Sequence, residues 1–160
     1  MKKYRSEKEF VLLVRDILRS EEFRRMKGHR HHVRGTVYDH SVKVAYLCYR
    51  HHKRFGMKCD LRELVRGALL HDYFLYDLHG GARTHRLHWF KHPGCALRNA
   101  EKKYPTLTAM QRDMIKHHMF PLTLKPPATA GGWLVCLYDK VAAFSDRFGG
   151  EKDFLKKSRD

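Results

Sequence analysis

Histidine and aspartate side chains recur along this sequence at intervals of about one helix plus one loop. The set comprises His40, His71, Asp72, His92, His117, His118 and Asp139. Imidazole and carboxylate groups without thiolates suit iron, manganese, zinc, nickel or cobalt, and a divalent metal offsets the cost of burying them. If successive helices pack antiparallel, these side chains meet, and the pattern then indicates a metal centre.

The number of these side chains bears on the kind of centre. Seven ligands are too many for one ion, whereas two ions that share a bridging carboxylate would use them all. Two-metal sites of this kind hold their ions roughly 3.5–4 Å apart and attack phosphorus centres. The pattern therefore favours a two-metal site over a single ion.

Apolar stripes, capping residues and Pro or Gly stops predict the helices that must position these side chains. No segment shows the sustained alternation of a strand. The sequence predicts an all-α, compact single-domain bundle of about six helices, which cover approximately residues 6–26, 38–56, 60–72, 92–104, 108–120 and 133–148. In the last helix, Leu134, Leu137, Val141 and Phe144 are predicted to face the core.

The sequence makes more specific predictions for the first and the fourth of these helices. Ser6 with Glu9 is predicted to cap the first helix, and Pro93 is predicted to open the fourth. A helix that starts at Pro93 would separate His88 from His92, although their spacing of four residues is typical of a zinc-binding helix.

Length, charge and cysteine content limit the class of protein. With 160 residues the chain is predicted to form one domain, residues 1–155, followed by a frayed basic tail, residues 156–160. Neither an apolar run of about 18 residues nor a signal peptide is visible, so a cytoplasmic location is expected. The four cysteines lie far apart and are expected to be reduced. A net charge of +16 would attract phosphates, nucleotides or nucleic acid.

The order of the chemistry-bearing residues resembles that of the HD-domain metal-dependent phosphohydrolases. The resemblance consists of His40, the doublet His71-Asp72 after Leu69-Leu70, and the distant Asp139 before Lys140. It spans about residues 32 to 145. Val42, Val44 and Ala45 after His40 also resemble the helix that carries the family's first ligand.

A second set of residues resembles the members of this family that bind two metals. His92-Pro93-Gly94 and Ile115-Lys116-His117-His118 match their additional histidines. The segments 37–41 and 71–79 also resemble a group of small bacterial HD-domain proteins, a likeness that implies no substrate. One departure is that Tyr73-Phe74-Leu75-Tyr76 stands where two-metal relatives often carry a phosphate-binding lysine. This aromatic stretch would either stack on a base or sugar or pack beneath the loop.

The resemblance implies an HD-domain fold and a division of labour among the ligands. His40, His71, Asp72 and Asp139 would hold the first metal, with Asp72 bridging, while His92, His117 and His118 would complete the second site. Both metals are expected to be iron, with manganese, zinc, nickel or cobalt as alternatives. Asp72 and His71 would be the catalytic residues, since they hold the metals that carry the nucleophile.

The implied activity is hydrolysis of a phosphomonoester or phosphoanhydride by a metal-bridging hydroxide. The substrate would be a small phosphorylated molecule, such as a nucleotide. Nearby cations would stabilise the phosphoryl group. The candidates for this phosphate contact are Lys140, Lys91, Arg83, His88 and His32.

Two alternatives remain open. The same ligands would also suit a mixed-valence di-iron oxygenase that cleaves a carbon bond. A non-catalytic module is the other alternative, in which the metal is structural and the positive charge recruits RNA or an acidic partner. The oligomeric state is not predicted.

Overall fold

A computed structural model contains seven α-helices and one 3₁₀ turn in the part of the chain that it describes. It describes residues 2–29, 35–74 and 85–148, with side chains for residues 6–29, 35–74 and 91–147. The helices are α1 (Lys2–Arg19), α2 (Glu21–Arg25), α3 (Val37–Phe55), α4 (Leu61–Leu70), α5 (His85–Lys103), α6 (Ala109–His117) and α7 (Ala130–Phe148), with the 3₁₀ turn at Met26–Gly28. No strand occurs among these residues, which confirms the all-α prediction.

The first predicted helix is two helices, and its predicted cap is wrong. Ser20 ends α1 and caps α2, because its hydroxyl accepts the backbone N–H of Phe23 at 3.3 Å. Ser6 lies inside α1, where its hydroxyl contacts the Tyr49 hydroxyl at 3.4 Å. Glu9, three residues after Ser6 on α1, accepts a hydrogen bond from the Tyr49 hydroxyl at 2.9 Å. The Ser6 and Glu9 pair therefore contributes to packing between α1 and α3.

The starts of α3, α4 and α6 follow from their capping residues. Thr36 and Thr108 form capping boxes with Asp39 and Gln111, and Asp60 accepts the N–H of Glu63 at 2.7 Å. Gly56 closes α3 with a φ of 65°, a left-handed conformation that glycine adopts without strain. These boundaries agree with the predicted ones.

The predicted start of the fourth helix at Pro93 is wrong. Helix α5 begins at His85 and continues through Pro93, so His88 and His92 share one helix. A proline inside a helix removes one hydrogen bond and costs about 3 kcal/mol. Pro93, His92 and Ala96 are all buried, so the proline lies in the packed part of α5.

Helix α7 buries a different face from the predicted one. Leu134 is buried, but Leu137 and Phe144 are 53% and 66% exposed, and Val141 is also exposed. The buried face is centred on Val135 and Ala142. Asp139 lies on the same side as these two residues, because four and three residues separate it from them. Turning Asp139 inward therefore turns the stripe of Leu137, Val141 and Phe144 outward.

The helices that carry the predicted ligands pack against one another. Helix α3 contacts α4 and α7, and α6 contacts α4, α5 and α7. Gly67 allows α4 and α6 to approach closely, because a Cβ at this position would lie 2.7 Å from Met114 Sδ. Within the described residues, no helix is long and apolar enough to cross a membrane.

Candidate metal centre

Six of the seven predicted ligands converge where these helices meet. They are His40 in the first turn of α3, His71 and Asp72 at the end of α4, His92 in α5, His118 at the end of α6, and Asp139 in α7. All except Asp139 are buried, with at most 4% of their surface exposed, and the Asp139 side chain is 13% exposed. Buried imidazole and carboxylate groups require partners, and here they are one another's neighbours.

Asp72 stands between two groups of histidines. Its Oδ1 lies 3.3 Å from His92 Nε2 and 3.4 Å from His118 Nε2, whereas its Oδ2 lies 3.6 Å from His71 Nε2. Donor atoms of His40, His71 and Asp72 lie within 4.8 Å of one another, as do those of Asp72, His92 and His118. Each group of three could hold a metal ion, and Asp72 belongs to both.

Backbone carbonyls orient two of the histidine rings. His71 Nδ1 donates to the Ala68 carbonyl and His118 Nδ1 donates to the Ile115 carbonyl, each at 2.8 Å. A neutral imidazole with its proton on Nδ1 has a lone pair on Nε2, the atom that ligates a metal. His71 Nε2 is buried and has no hydrogen-bond partner among the described residues. An unsatisfied buried acceptor of this kind fits a metal ligand.

The second group brings two ring nitrogens face to face. His92 Nε2 and His118 Nε2 lie 2.9 Å apart. Two nitrogens bound at 2.0–2.1 Å to one ion at a right angle would be about 3 Å apart. Burial lowers the pKa of His118, so this ring is neutral at pH 7 and offers a lone pair. The spacing therefore fits two ligands of one cation.

His40 of the first group pairs with Asp139, which lies beside that group. His40 Nε2 lies 3.0 Å from Asp139 Oδ1. Burial alone lowers the pKa of His40, but the neighbouring carboxylates of Asp139 and Asp146 outweigh it and raise this pKa to about 9. Burial alone raises the pKa of Asp139, yet His40 and His71 hold it well below its ordinary value. Asp139 is therefore a carboxylate that a cation at this position would meet already charged.

The remaining predicted ligand, His117, belongs to neither group among the described side chains. Its Nδ1 donates to Asp113 Oδ1 at 2.8 Å. Asp113 also accepts the backbone N–H groups of Ala128 and Thr129, just before α7. Metal ligation by His117 stays a prediction. Asp113 was not among the predicted site residues, although its position four residues before His117 was the available signal.

The predicted phosphate contacts are only partly within the described residues. Lys140 Nζ donates to the carbonyls of His118 and Cys136, each at 3.0 Å, so the amine lies at the end of α6. Lys91 is exposed on α5. Arg83 and His32 lie outside the described residues, as does the side chain of His88. Contact of any of them with phosphate stays a prediction.

The aromatic residues after the doublet are part of the core. Tyr73 and Phe74 are at most 2% exposed. The Phe74 ring meets the His92 ring edge to face, with centroids 5.8 Å apart. Of the two roles considered for this stretch, packing is the one that these two rings have.

Two further residues lie next to His40 and were not predicted. Asp146 Oδ2 is 3.6 Å from His40 Nδ1, and Lys43 Nζ donates to Asp146 Oδ1 at 2.5 Å. Asp146 follows Asp139 by seven residues, which is two helical turns, so both carboxylates face the same side of α7. That spacing is the sequence signal that could have indicated Asp146.

Comparison with known proteins supports a family assignment. No curated protein and no solved structure matches the chain. A family model described as HD domain matches residues 37–144, more than half of the chain. The matched range contains Asp72 and the candidate ligands on either side of it, from His40 to Asp139. The chain therefore belongs to the HD domain family.

Proposed function

We propose that the protein is a metal-dependent phosphohydrolase that acts on a phosphomonoester or phosphoanhydride of a nucleotide or another small metabolite. Metal-dependent phosphohydrolysis is the activity that resemblance to this family implies. The observation that carries the proposal is the position of Asp72, which presents one carboxylate oxygen to each histidine group. A carboxylate shared in this way suits two ions rather than one.

The donor set fits divalent metals and an anionic substrate. When bound, two such metals would activate water as a nucleophile and polarise phosphoryl oxygens. Asp72 and Asp139 supply the charged ligands, and their two negative charges would leave a pair of dications with excess positive charge. Phosphate oxygens can balance that excess, whereas a neutral substrate cannot.

The protein's own residues would hold this arrangement in place. The Ala68 and Ile115 carbonyls fix the rings of His71 and His118, so these ligands need little reorganisation. Burial of the cluster limits competing solvent. The chain's net charge of +16 would draw phosphorylated molecules toward the protein.

The proposal is tested by metal content and by phosphate release. Purified protein is loaded with manganese or iron, its metal content is measured, and hydrolysis of a panel of phosphate esters and anhydrides is followed. Asp72→Asn should lose metal and reduce turnover at least about 100-fold. Asp16→Asn is the matched control, because it makes the same change of charge at a surface carboxylate that pairs with Arg66.

Three results would contradict this function. Undiminished hydrolysis with full metal content in Asp72→Asn would separate the activity from the bridging carboxylate. Oxygen consumption by the iron-loaded protein, without phosphate release from any ester, would favour the di-iron oxygenase. RNA binding that survives removal of the metal, again without phosphate release, would favour the non-catalytic module.

A further inference from the structure

We infer that Asp146, held in place by Lys43, is a positioning residue that orients His40 as a metal ligand. The inference rests on the metal dependence in the proposed function. It goes beyond the family assignment, because Asp146 lies two residues past the matched range, residues 37–144.

The first argument is the position of the His40 ring between two carboxylates of one helix. Asp139 Oδ1 lies 3.0 Å from Nε2, on the side of the ring that faces His71, and Asp146 Oδ2 lies 3.6 Å from Nδ1. The second distance is that of an ion pair rather than a hydrogen bond. A shift of about 0.6 Å brings it within hydrogen-bond range.

The second argument comes from the chemistry of imidazole. A neutral histidine that ligates a metal through Nε2 carries its proton on Nδ1. The His40 side chain has no exposed surface, so this N–H requires a protein acceptor. The carboxylate of Asp146 faces that atom at 3.6 Å and would accept this N–H after the small shift described above.

The third argument is that Lys43 fixes the carboxylate. Its Nζ donates to Asp146 Oδ1 and to Ser145 Oγ, both at 2.5 Å. The side chains of Lys43 and Asp146 are only 18% and 22% exposed. Because His40 and Lys43 both come from α3, this pair ties the ligand's own helix to α7.

Asp146 also makes His40 different from His71 and His118. His71 and His118 donate to neutral carbonyls, whereas His40 faces a charged carboxylate. A carboxylate acceptor raises the basicity of a ligating imidazole, and loss of such a partner typically weakens metal affinity 10–100-fold. The group that contains His40 should therefore depend on Asp146 more than the group that contains His92 and His118 does.

The test is a titration of the full-length, metal-free protein with manganese, in which free Mn²⁺ is followed by electron paramagnetic resonance. In Asp146→Asn, one manganese equivalent should bind about 10–100-fold more weakly, while the other keeps its wild-type affinity. Lys43→Met should weaken the same equivalent by a smaller factor. Glu22→Gln is the control, because it removes an interhelical carboxylate from its 2.6 Å pair with Lys103 and should change neither equivalent.

The outcomes separate this inference from the proposed function. Unchanged affinity in Asp146→Asn, or equal weakening of both equivalents, would overturn the inference, since the second result indicates a merely structural role. If Asp146→Asn does not fold, Lys43→Met must show the selective weakening, and failure to do so is equally decisive. Selective weakening in a protein that hydrolyses no phosphate ester would uphold the inference and overturn the proposed function. Wild-type protein that binds no manganese would overturn both.

Discussion

Asp113, in the middle of α6, accepts hydrogen bonds from the backbone just before α7. Its replacement by asparagine should therefore destabilise the protein. The carboxylate is 8% exposed. It accepts the backbone N–H of Ala128 at 3.0 Å, the N–H of Thr129 at 2.9 Å, the Thr129 hydroxyl at 2.6 Å and His117 Nδ1 at 2.8 Å. All four donors point at an acceptor that carries a full negative charge.

The magnitude follows from the donors that asparagine cannot satisfy. Asparagine retains one acceptor oxygen, and its NH₂ group must face donors on the other side, so at least one of these hydrogen bonds is lost and the rest are no longer charge-assisted. Hydrogen bonds to charged groups contribute about 1.5–3 kcal/mol each. For Asp113→Asn we therefore expect the free energy of unfolding to fall by about 2–4 kcal/mol, equivalent to roughly 10 °C in Tm for a chain of this length.

Urea unfolding in the presence of a chelator measures this change without a contribution from bound metal. The comparison is Asp16→Asn, since Asp16 also accepts two hydrogen bonds, from Arg66 at 2.6 and 2.7 Å, but its side chain is 51% exposed. Exposed pairs of this kind contribute about 0–1 kcal/mol. A loss below about 1 kcal/mol in Asp113→Asn, or equal losses in both variants, would refute the reasoning.

The pH dependence of the same difference gives a second check. Burial raises the pKa of Asp113, but the hydrogen bonds from Thr129, Ala128 and His117 outweigh it and lower this pKa below 3.8. A carboxylate with a lowered pKa stabilises the fold above its unfolded-state pKa and loses that contribution as the pH falls through the folded-state pKa. The stability difference between wild type and Asp113→Asn should be constant from pH 8 to 5 and shrink below about pH 3.8.

Three further predictions concern the packing of α7 and the proton on His40. Gly132→Ala brings a Cβ into collision with Asp113 Oδ2 and to 2.8 Å from Pro127 Cβ, so it should destabilise the protein by about 1–3 kcal/mol although alanine favours helices. A raised urea midpoint would contradict this. Leu134→Ala should cost about 2–4 kcal/mol, whereas Leu137→Ala should change the unfolding free energy by less than about 0.5 kcal/mol; equal losses would contradict the assigned buried face. His40, with its pKa of about 9, is protonated at neutral pH and stabilises the metal-free fold below about pH 6.5, a contribution lost as the pH rises through 9. Because ligation displaces that proton, zinc affinity measured by calorimetry should rise about tenfold per pH unit from 7 to 9, and a flat profile would contradict this.

Much of the framework could be predicted from the sequence because its signals are local. The caps Asp60 and Thr108 each accept an N–H three residues ahead, so a short window of sequence contains the whole interaction. The position of the predicted ligands His71 and Asp72 is also a local signal, because they follow directly after the apolar run that ends α4. These local signals were sufficient to predict an all-α architecture, and together with the family resemblance they indicated six of the residues that meet at the candidate metal centre.

Two wrong predictions, the start of α5 and the buried face of α7, concern features that depend on contacts between helices. Pro93 is a good first residue for a helix, but it lies buried inside α5, a position that its local sequence does not indicate. In α7, Leu137 and Phe144 form as regular an apolar stripe as the residues that are buried. The side that turns inward carries Val135, Asp139 and Ala142, and periodicity alone does not indicate which of the two sides that is.

Asp113 and Asp146, the carboxylates next to the predicted ligands His117 and His40, were not predicted for a related reason. Asp113 precedes His117 by four residues, and Asp146 follows Asp139 by seven, spacings that charged residues on solvated helix faces also have. What distinguishes them is a contact from another helix: the backbone before α7 for Asp113, and Lys43 of α3 for Asp146. For Asp146 the sequence spacing shows only that it shares a helix face with the predicted ligand Asp139, and the contact with Lys43 is what makes it a candidate for orienting His40.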